Sequence, residues 1–289
     1  MTPVLAGVDG SASSTAAVRW AAAEAHRRRA SLRLVSAFVF PGGKHERDPA
    51  LGLDYLRVMT RVVEDYLDDA RAVALDTAPH LEVTTDVLTG RPADVLIDEA
   101  TRAQLTVVGH LGAGGLEGLL LGSVGATLAG TAVGPVVVVR GHPGTEPRRP
   151  VVVGVDGAHS QAALEFALAH ASRLQVPLRA VHTWAAGLLD PFQLPEARWA
   201  PIEADERRAL DAAVAAAAVQ HPEVEVHSHV AVDSAARQLI AESATAQLVV
   251  VGAHTRRGVV DTRLGSLTRA LLHRAGCPVA VVPNQDEEP

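Results

Sequence analysis

Ala103-Gln104-Leu105-Thr106-Val107-Val108-Gly109 returns as Ala246-Gln247-Leu248-Val249-Val250-Val251-Gly252, and Ala6-Gly7-Val8-Asp9-Gly10-Ser11 returns as Val153-Gly154-Val155-Asp156-Gly157-Ala158. Asp9 and Asp156 are 147 positions apart and Gly109 and Gly252 are 143 apart, so a whole segment has been duplicated and only its loops have drifted. A repeat of this length is an array of domains, not a solenoid of short units. Its expected division is a first domain at 1–141, a linker at 142–150, a second domain at 151–284 and an acidic tail at 285–289. The linker is polar and contains Pro143, Pro147 and Pro150, residues that break regular structure.

Outward from these stretches, each repeat alternates short apolar runs with longer segments of helical spacing. In the first repeat Val4 to Val8, Leu32 to Phe38, Leu81 to Leu88, Leu105 to Val108 and Val136 to Val139 read as strands. Ser13 to Arg29, Leu53 to Leu75, Pro92 to Arg102 and Ser123 to Ala132 read as helices. The second repeat follows with strands at Val151 to Val155, Leu178 to Trp184, Val224 to Val230, Leu248 to Val251 and Val279 to Val282. Strands made almost wholly of Val and Leu are buried on both faces, which is the mark of a parallel sheet covered by helices. The fold class expected is α/β, with two tandem doubly wound five-stranded parallel-sheet domains of Rossmann-like type.

Composition sets limits on partners. A chain of 289 residues with 48% hydrophobic content has enough apolar material for two cores. A net charge of −7 provides no electrostatic footprint for nucleic acid or an anionic membrane surface, and neither is expected as a partner. Cys277 is the single cysteine, so no intrachain disulfide can form. With no run approaching a membrane span and no basic-apolar leader pattern after Met1, a soluble, cytoplasmic protein is expected.

In open α/β sheets ligands bind beyond the carboxyl ends of the strands, where the winding reverses. At the end of the first strand stand Asp9, Gly10 and Ser11. After the fourth comes a loop carrying Gly109, His110, Gly112 and several further glycines, closing on Gly122 and Ser123. Glycines there allow positive φ and close approach of backbone to a ligand. Gly122 and Ser123 then open a helix, whose unpaired first N–H groups and positive dipole end attract phosphate oxygens. The arrangement is an anion cradle that needs no lysine, and Lys44, the one lysine, lies in a distant loop.

These residues resemble the ATP-binding branch of the universal stress protein family. Its signature is a glycine, two residues, a glycine, nine residues, then a glycine and a serine or threonine, and Gly109, Gly112, Gly122 and Ser123 complete it. Asp9, the Gly90-Arg91-Pro92 turn and the closing strand Pro135 to Val139 also match. The resemblance covers both halves and implies an adenine nucleotide alpha hydrolase-like fold, with the two domains paired as a pseudo-dimer. It implies that Asp9 contacts adenosine, that backbone near Ala37 meets the adenine edge, and that Gly109, Gly112, Gly122, Ser123 and Val124 hold ribose and phosphates. ATP is the implied cofactor, with Mg2+ sharing the phosphate charge.

By position, the second repeat supplies Asp156, Thr183, Gly252, Gly265, Ser266 and Leu267. Thr255 stands where the signature has its second glycine, and the turn before the third helix has become Asp233-Ser234-Ala235. A β-branched residue is disfavoured at positive φ, and at negative φ its side chain narrows the phosphate approach, so the second site is expected to bind ATP more weakly.

Blander roles compete for the same residues. Asp9, Ser11, Ser13 or Ser14 can each cap the first helix, and Ser123 the fourth. His227 and His229 share a strand face without a third metal ligand, and no nucleophile, base and orienting acid can be assembled around His110 or His254. Cys277 reads as a small core residue. Walker-type and dinucleotide fingerprints are absent from the sequence. The expected function is a nucleotide-binding regulatory protein of the stress response. ATP would act as a ligand that biases domain packing or binding of an unidentified regulatory protein, and the chain is expected to form a homodimer. The competing expectations are a slow ATPase or phosphotransferase and a nucleotide-free scaffold.

Overall fold

The computed structural model describes residues 2–39, 49–112, 122–131, 134–141, 149–184, 200–253 and 264–284. Lys44, Gly114, Gly115, Gly118, linker residues 142–148, Phe192, Trp199, His254, Thr255 and the acidic tail lie outside them. The chain forms two compact units, Met1–Val139 and Arg140–Pro289.

In the first unit the elements run β1 (Val4–Gly7), α1 (Ala12–Arg28), β2 (Leu32–Phe38), α2 (Pro49–Thr77), β3 (Val83–Thr89), α3 (Pro92–Ala100), β4 (Leu105–Gly109), α4 (Ser123–Thr131) and β5 (Val136–Val139). The sheet order is β3-β2-β1-β4-β5 and each of these pairings is parallel. The chain winds outward from β1 through β2 to β3, then crosses back to add β4 and β5 on the other side. The reversal therefore falls between β1 and β4. Helices α1 and α2 pack together on one side, and α3 packs with α4. This is the doubly wound architecture expected from the apolar runs.

The second unit repeats it. β6 (Val151–Gly154), α5 (Gln161–Leu174), β7 (Leu178–Trp184), α6 (Ala200–Ala218), β8 (Val226–Val232), α7 (Ala235–Ser243), β9 (Leu248–Gly252), α8 (Ser266–Arg274) and β10 (Val279–Val282) give the order β8-β7-β6-β9-β10, again all parallel. One departure is local: Gly157–Ser160 make a 3-10 turn ahead of α5.

Burial explains why these sequences take these forms. Strands β5, β9 and β10 are buried at every position, as sheet covered on both faces requires. Ala17, Ala21, Ala22 and Ala25 of α1 are wholly buried, and their small side chains let the helix lie close on the sheet. Ser11 caps α1 by accepting the Ser14 N–H at 3.1 Å, and Arg29 ends it in the left-handed region at φ 53°. Gln175 ends α5 in the same way at φ 54°, so the duplication preserved even this cap without glycine.

Charged tethers fasten α3 and α7 to the sheet. Arg33 on β2 bonds Asp86 of β3 at 2.7 Å and Glu99 of α3. Burial alone would lower the Arg33 pKa, but bonds to the two carboxylates outweigh it and the net direction is upward. Arg179 on β7 and Glu242 on α7 repeat the tether in the second unit.

Candidate functional site

At the carboxyl end of β1 the chain passes Val8 and Asp9 and turns at Gly10. The Gly10 φ is +77°, and a Cβ there would stand 2.8 Å from ring carbons of Tyr66. Asp9 Oδ1 accepts the Ser11 N–H at 3.0 Å, while capping of α1 itself falls to Ser11. Of the four residues that could have capped the helix, the structure gives that work to one and puts Asp9 on the wall of a cavity.

The end of β4 is built by contact with α1. A Cβ on Gly109 would lie 2.5 Å from Ser13 Oγ and 2.7 Å from the Ser13 carbonyl carbon, so only glycine lets the helix start sit here. The Ser13 hydroxyl is hydrogen-bonded to His110 Nδ1 at 3.0 Å and accepts the Leu111 N–H at 3.2 Å, which pins the loop as it leaves the strand. Gly112 then passes so near Asp9 that a Cβ would stand 2.9 Å from Oδ2. The Gly122 N–H donates to the His110 carbonyl at 2.7 Å, tying the far end of the loop to its beginning.

Two expectations are corrected at this point. Gly109, Gly112 and Gly122 do not have positive φ; among the described glycines that conformation belongs to Gly10, Gly90, Gly141 and Gly157. Close approach of neighbouring atoms, not left-handed backbone, explains Gly109 and Gly112. Ser123 is also not the cap of α4. The Gly122 carbonyl accepts the Ala126 N–H at 3.1 Å, which makes Gly122 the cap residue and Ser123 the first helical one.

Asp9, Ala37, Gly109, Gly112, Gly122, Ser123 and Val124 all line one cavity of about 460 Å³ in the first unit. It opens at the reversal between β1 and β4, where such sheets place ligands. One end is polar, formed by Asp9, the glycines and the first turn of α4, whose amides have no acceptor within the helix. The other end is apolar, formed by Val35, Ala37, Pro92 and Leu96. The volume is that of a small-molecule site.

Asp156, Thr183, Gly252, Gly265, Ser266 and Leu267 likewise line one cavity, of about 530 Å³, in the second unit. Its corner beside the first turn of α8 is built differently. Ala253 replaces His110, so the histidine pin is gone, and Ser160 Oγ accepts the Asp156 N–H at 2.7 Å from within the 3-10 turn. Gly265 caps α8 with no side-chain bond, and a Cβ there would meet no atom of the described residues within 4 Å.

Of the apolar wall the sequence pointed to Ala37 but not to Leu96, and it did not show the pin. Leu96 and Leu239 are apolar residues on helical spacing and read as ordinary core. Ser13 was legible only as a possible cap; what marks it is its contact with Gly109, which joins residues far apart in the chain.

The family model described as the universal stress protein family matches residues 1–140 and again residues 147–283. The chain belongs to the universal stress protein family. Among its relatives, a universal stress protein of Mycobacterium tuberculosis is 32% identical over 299 residues, spanning 96% of this chain and 94% of the relative. Another, from Mycolicibacterium smegmatis, is 36% identical over 289 residues and 96% of each chain. The solved structure of a universal stress protein from Archaeoglobus fulgidus matches with a TM-score of 0.72 at 17% identity, covering 98% of both chains, and shares the fold.

The two strand histidines of this universal stress protein have local partners. His227 meets Glu225 at 3.2 Å, His229 meets Gln238 at 3.2 Å, and no group of three or more potential metal ligands occurs among the described residues. Cys277 is 1% exposed, and burial pushes its thiol pKa up to about 12, the setting of a core residue. Among the described residues no helix is long and apolar enough to cross a membrane.

Proposed function

We propose that this universal stress protein is a nucleotide-binding regulatory protein that takes ATP in the cavity of its first unit. The observation that carries the reading is the convergence on one cavity of Asp9, three glycines with little or no room for side chains, and the first turn of α4, whose cap residue Gly122 has no side chain. A helix N-terminus favours phosphate oxygens, a carboxylate accepts hydrogen bonds from ribose or an amino group, and an apolar wall suits a flat base. Asp9 is the acidic residue among the described lining residues. A magnesium ion at this site would therefore be carried chiefly by phosphate oxygens and water.

ATP serves here as a ligand, not as a substrate, and its occupancy is read by a protein partner. Acidic net charge and a buried, unpaired cysteine suit a cytoplasmic location, and the expected assembly is a homodimer, which sedimentation of the purified chain tests. Calorimetric titration of the full chain with ATP tests the central point. Saturable binding whose tighter component Gly122→Glu removes while the fold is retained supports it. No binding, together with no adenine nucleotide released from freshly purified protein on denaturation, overturns it in favour of a scaffold.

A further inference from the structure

Most residues that line the first cavity have counterparts in the second, and at one strand-end position a methyl side chain has given way to one that carries a hydroxyl. Val35 and Ala37 of β2 line the first cavity, and Val181 and Thr183 of β7 line the second. The register agrees: Ala37 lies opposite Leu88 of β3, and Thr183 opposite Ala231 of β8. Nearby, Pro92 at the start of α3 gives way to Ala235 at the start of α7, which removes a ring from the wall. The second cavity is the larger, about 530 Å³ against about 460 Å³. Among the described residues nothing hydrogen-bonds the Thr183 hydroxyl, which is therefore available to a ligand.

In both cavities the helix N-terminus and the glycines fix the end that receives phosphate, so the base is left with the strand-end wall. In the first cavity that wall presents carbon from Val35, Ala37, Pro92 and Leu96. These side chains offer a base edge no partner, so its recognition falls to main-chain groups near Ala37, and groups that match adenine's amino group and ring acceptor are mismatched to guanine's carbonyl and ring N–H, a cost that a hydroxyl reduces. Thr183 can donate to a carbonyl or accept from an amino group, and the missing proline ring leaves room for the extra substituent.

We propose that Thr183 is a specificity-determining residue that opens the second cavity to guanine nucleotides, while the first, walled by Ala37 and Pro92, is confined to adenine. This rests on reading both cavities as nucleotide sites. One chain would then respond to two nucleotide pools.

The test is calorimetric titration of the full chain with ATP and with GTP after one cavity is blocked. Gly122→Glu leaves the second cavity and Gly265→Glu leaves the first, with circular dichroism confirming the fold of each. With Gly122→Glu, GTP is expected to bind at least as tightly as ATP; with Gly265→Glu, ATP is expected to be favoured by about tenfold. Adding Thr183→Ala to the former is expected to weaken GTP about tenfold and ATP by less than about threefold. Adding Ala37→Thr to the latter is expected to strengthen GTP. The same ATP preference in both backgrounds, or equal loss of the two nucleotides with Thr183→Ala, overturns the inference. ATP binding to the first cavity with no GTP binding to the second overturns it and leaves the proposed function standing. Silence toward both nucleotides in the unmodified chain overturns the proposed function itself.

Discussion

Ser13 Oγ lies 3.0 Å from His110 Nδ1, so the first turn of α1 and the loop after β4, separated by 97 residues, are held by one hydroxyl. The same oxygen accepts the Leu111 N–H at 3.2 Å. Because Gly112 follows directly and passes beside Asp9, this bond sets the shape of the cavity's polar end. The second unit has Ala253 in place of His110 and therefore builds that end without it.

Ser13→Ala removes the pin and leaves the Leu111 N–H without its acceptor. A loss of about 1–2 kcal/mol in unfolding free energy is expected. ATP affinity at the first cavity should fall by more than a fold change in stability alone would produce, because the loop is no longer pre-shaped for the ligand. Urea unfolding and calorimetric titration check the two effects; unchanged affinity would show that the loop holds its shape without Ser13.

Glycines of the signature should not respond alike to alanine. At Gly109 the new methyl would overlap Ser13 backbone as well as its hydroxyl, at 2.5 to 2.8 Å, and neither can move without shifting α1. Overpacking of this kind costs about 1–3 kcal/mol. A Cβ on Gly265 meets no atom of the described residues within 4 Å and φ is −54°, so Gly265→Ala weakens only the α8 cap and should cost less than Gly109→Ala, about 0.5–1 kcal/mol. Equal midpoints for the two variants in urea would contradict the packing argument.

Much of this was legible in the sequence because it depends on repetition and on apolar runs. β2, β5, β7 and β10 begin and end where their Val- and Leu-rich runs do. β3 and β8 each start two residues later than their apolar runs, for one reason in both units. The Leu81 N–H bonds the Ala78 carbonyl at 3.0 Å and the Val224 N–H bonds the His221 carbonyl at 3.1 Å, so each apolar residue closes a turn before its strand begins. Helix α2 starts at Pro49, ahead of the expected Leu53, since a proline can occupy a first helical turn. Of the apolar wall, Ala37 was legible through the family resemblance but Leu96 was not: it has the spacing of a core residue, and only tertiary structure turns its face toward a cavity.

Cys277 supplies a pH-dependent prediction. Burial raises its pKa from 9.0 to about 12 in the folded chain, so the stability tied to the neutral thiol is complete below pH 9. It is lost as pH rises toward 12, because the unfolded thiol ionises first, with a slope of about 1.4 kcal/mol per pH unit in that window. The stability difference between the parent and Cys277→Ala should therefore be constant from pH 7 to 8 and shrink between pH 9 and 11. Native protein should also react with a thiol reagent at pH 8 only on the timescale of unfolding. Rapid labelling of folded protein would show the thiol to be accessible.

Gly7 and Leu96 carry the last prediction, because here a substitution should harm binding more than stability. A Cβ on Gly7 would stand 2.9 Å from Leu96 Cδ1, and the second unit repeats the distance between Gly154 and Leu239 Cδ1. The neighbour is the tip of a flexible side chain, so Gly7→Ala can be accommodated by a turn of Leu96, at a cost of about 1 kcal/mol. Leu96 and Gly7 both line the first cavity, and the displaced methyl has the cavity as its open direction. ATP affinity there should drop about tenfold, the equivalent of ~1.4 kcal/mol, and Leu96→Ala placed on top of Gly7→Ala should restore part of it. Gly154→Ala should act in the same way on the second cavity alone. If Gly7→Ala weakens stability by several kcal/mol and leaves affinity untouched, the side chain moves into the core instead, and Leu96 is not part of the wall that receives the base.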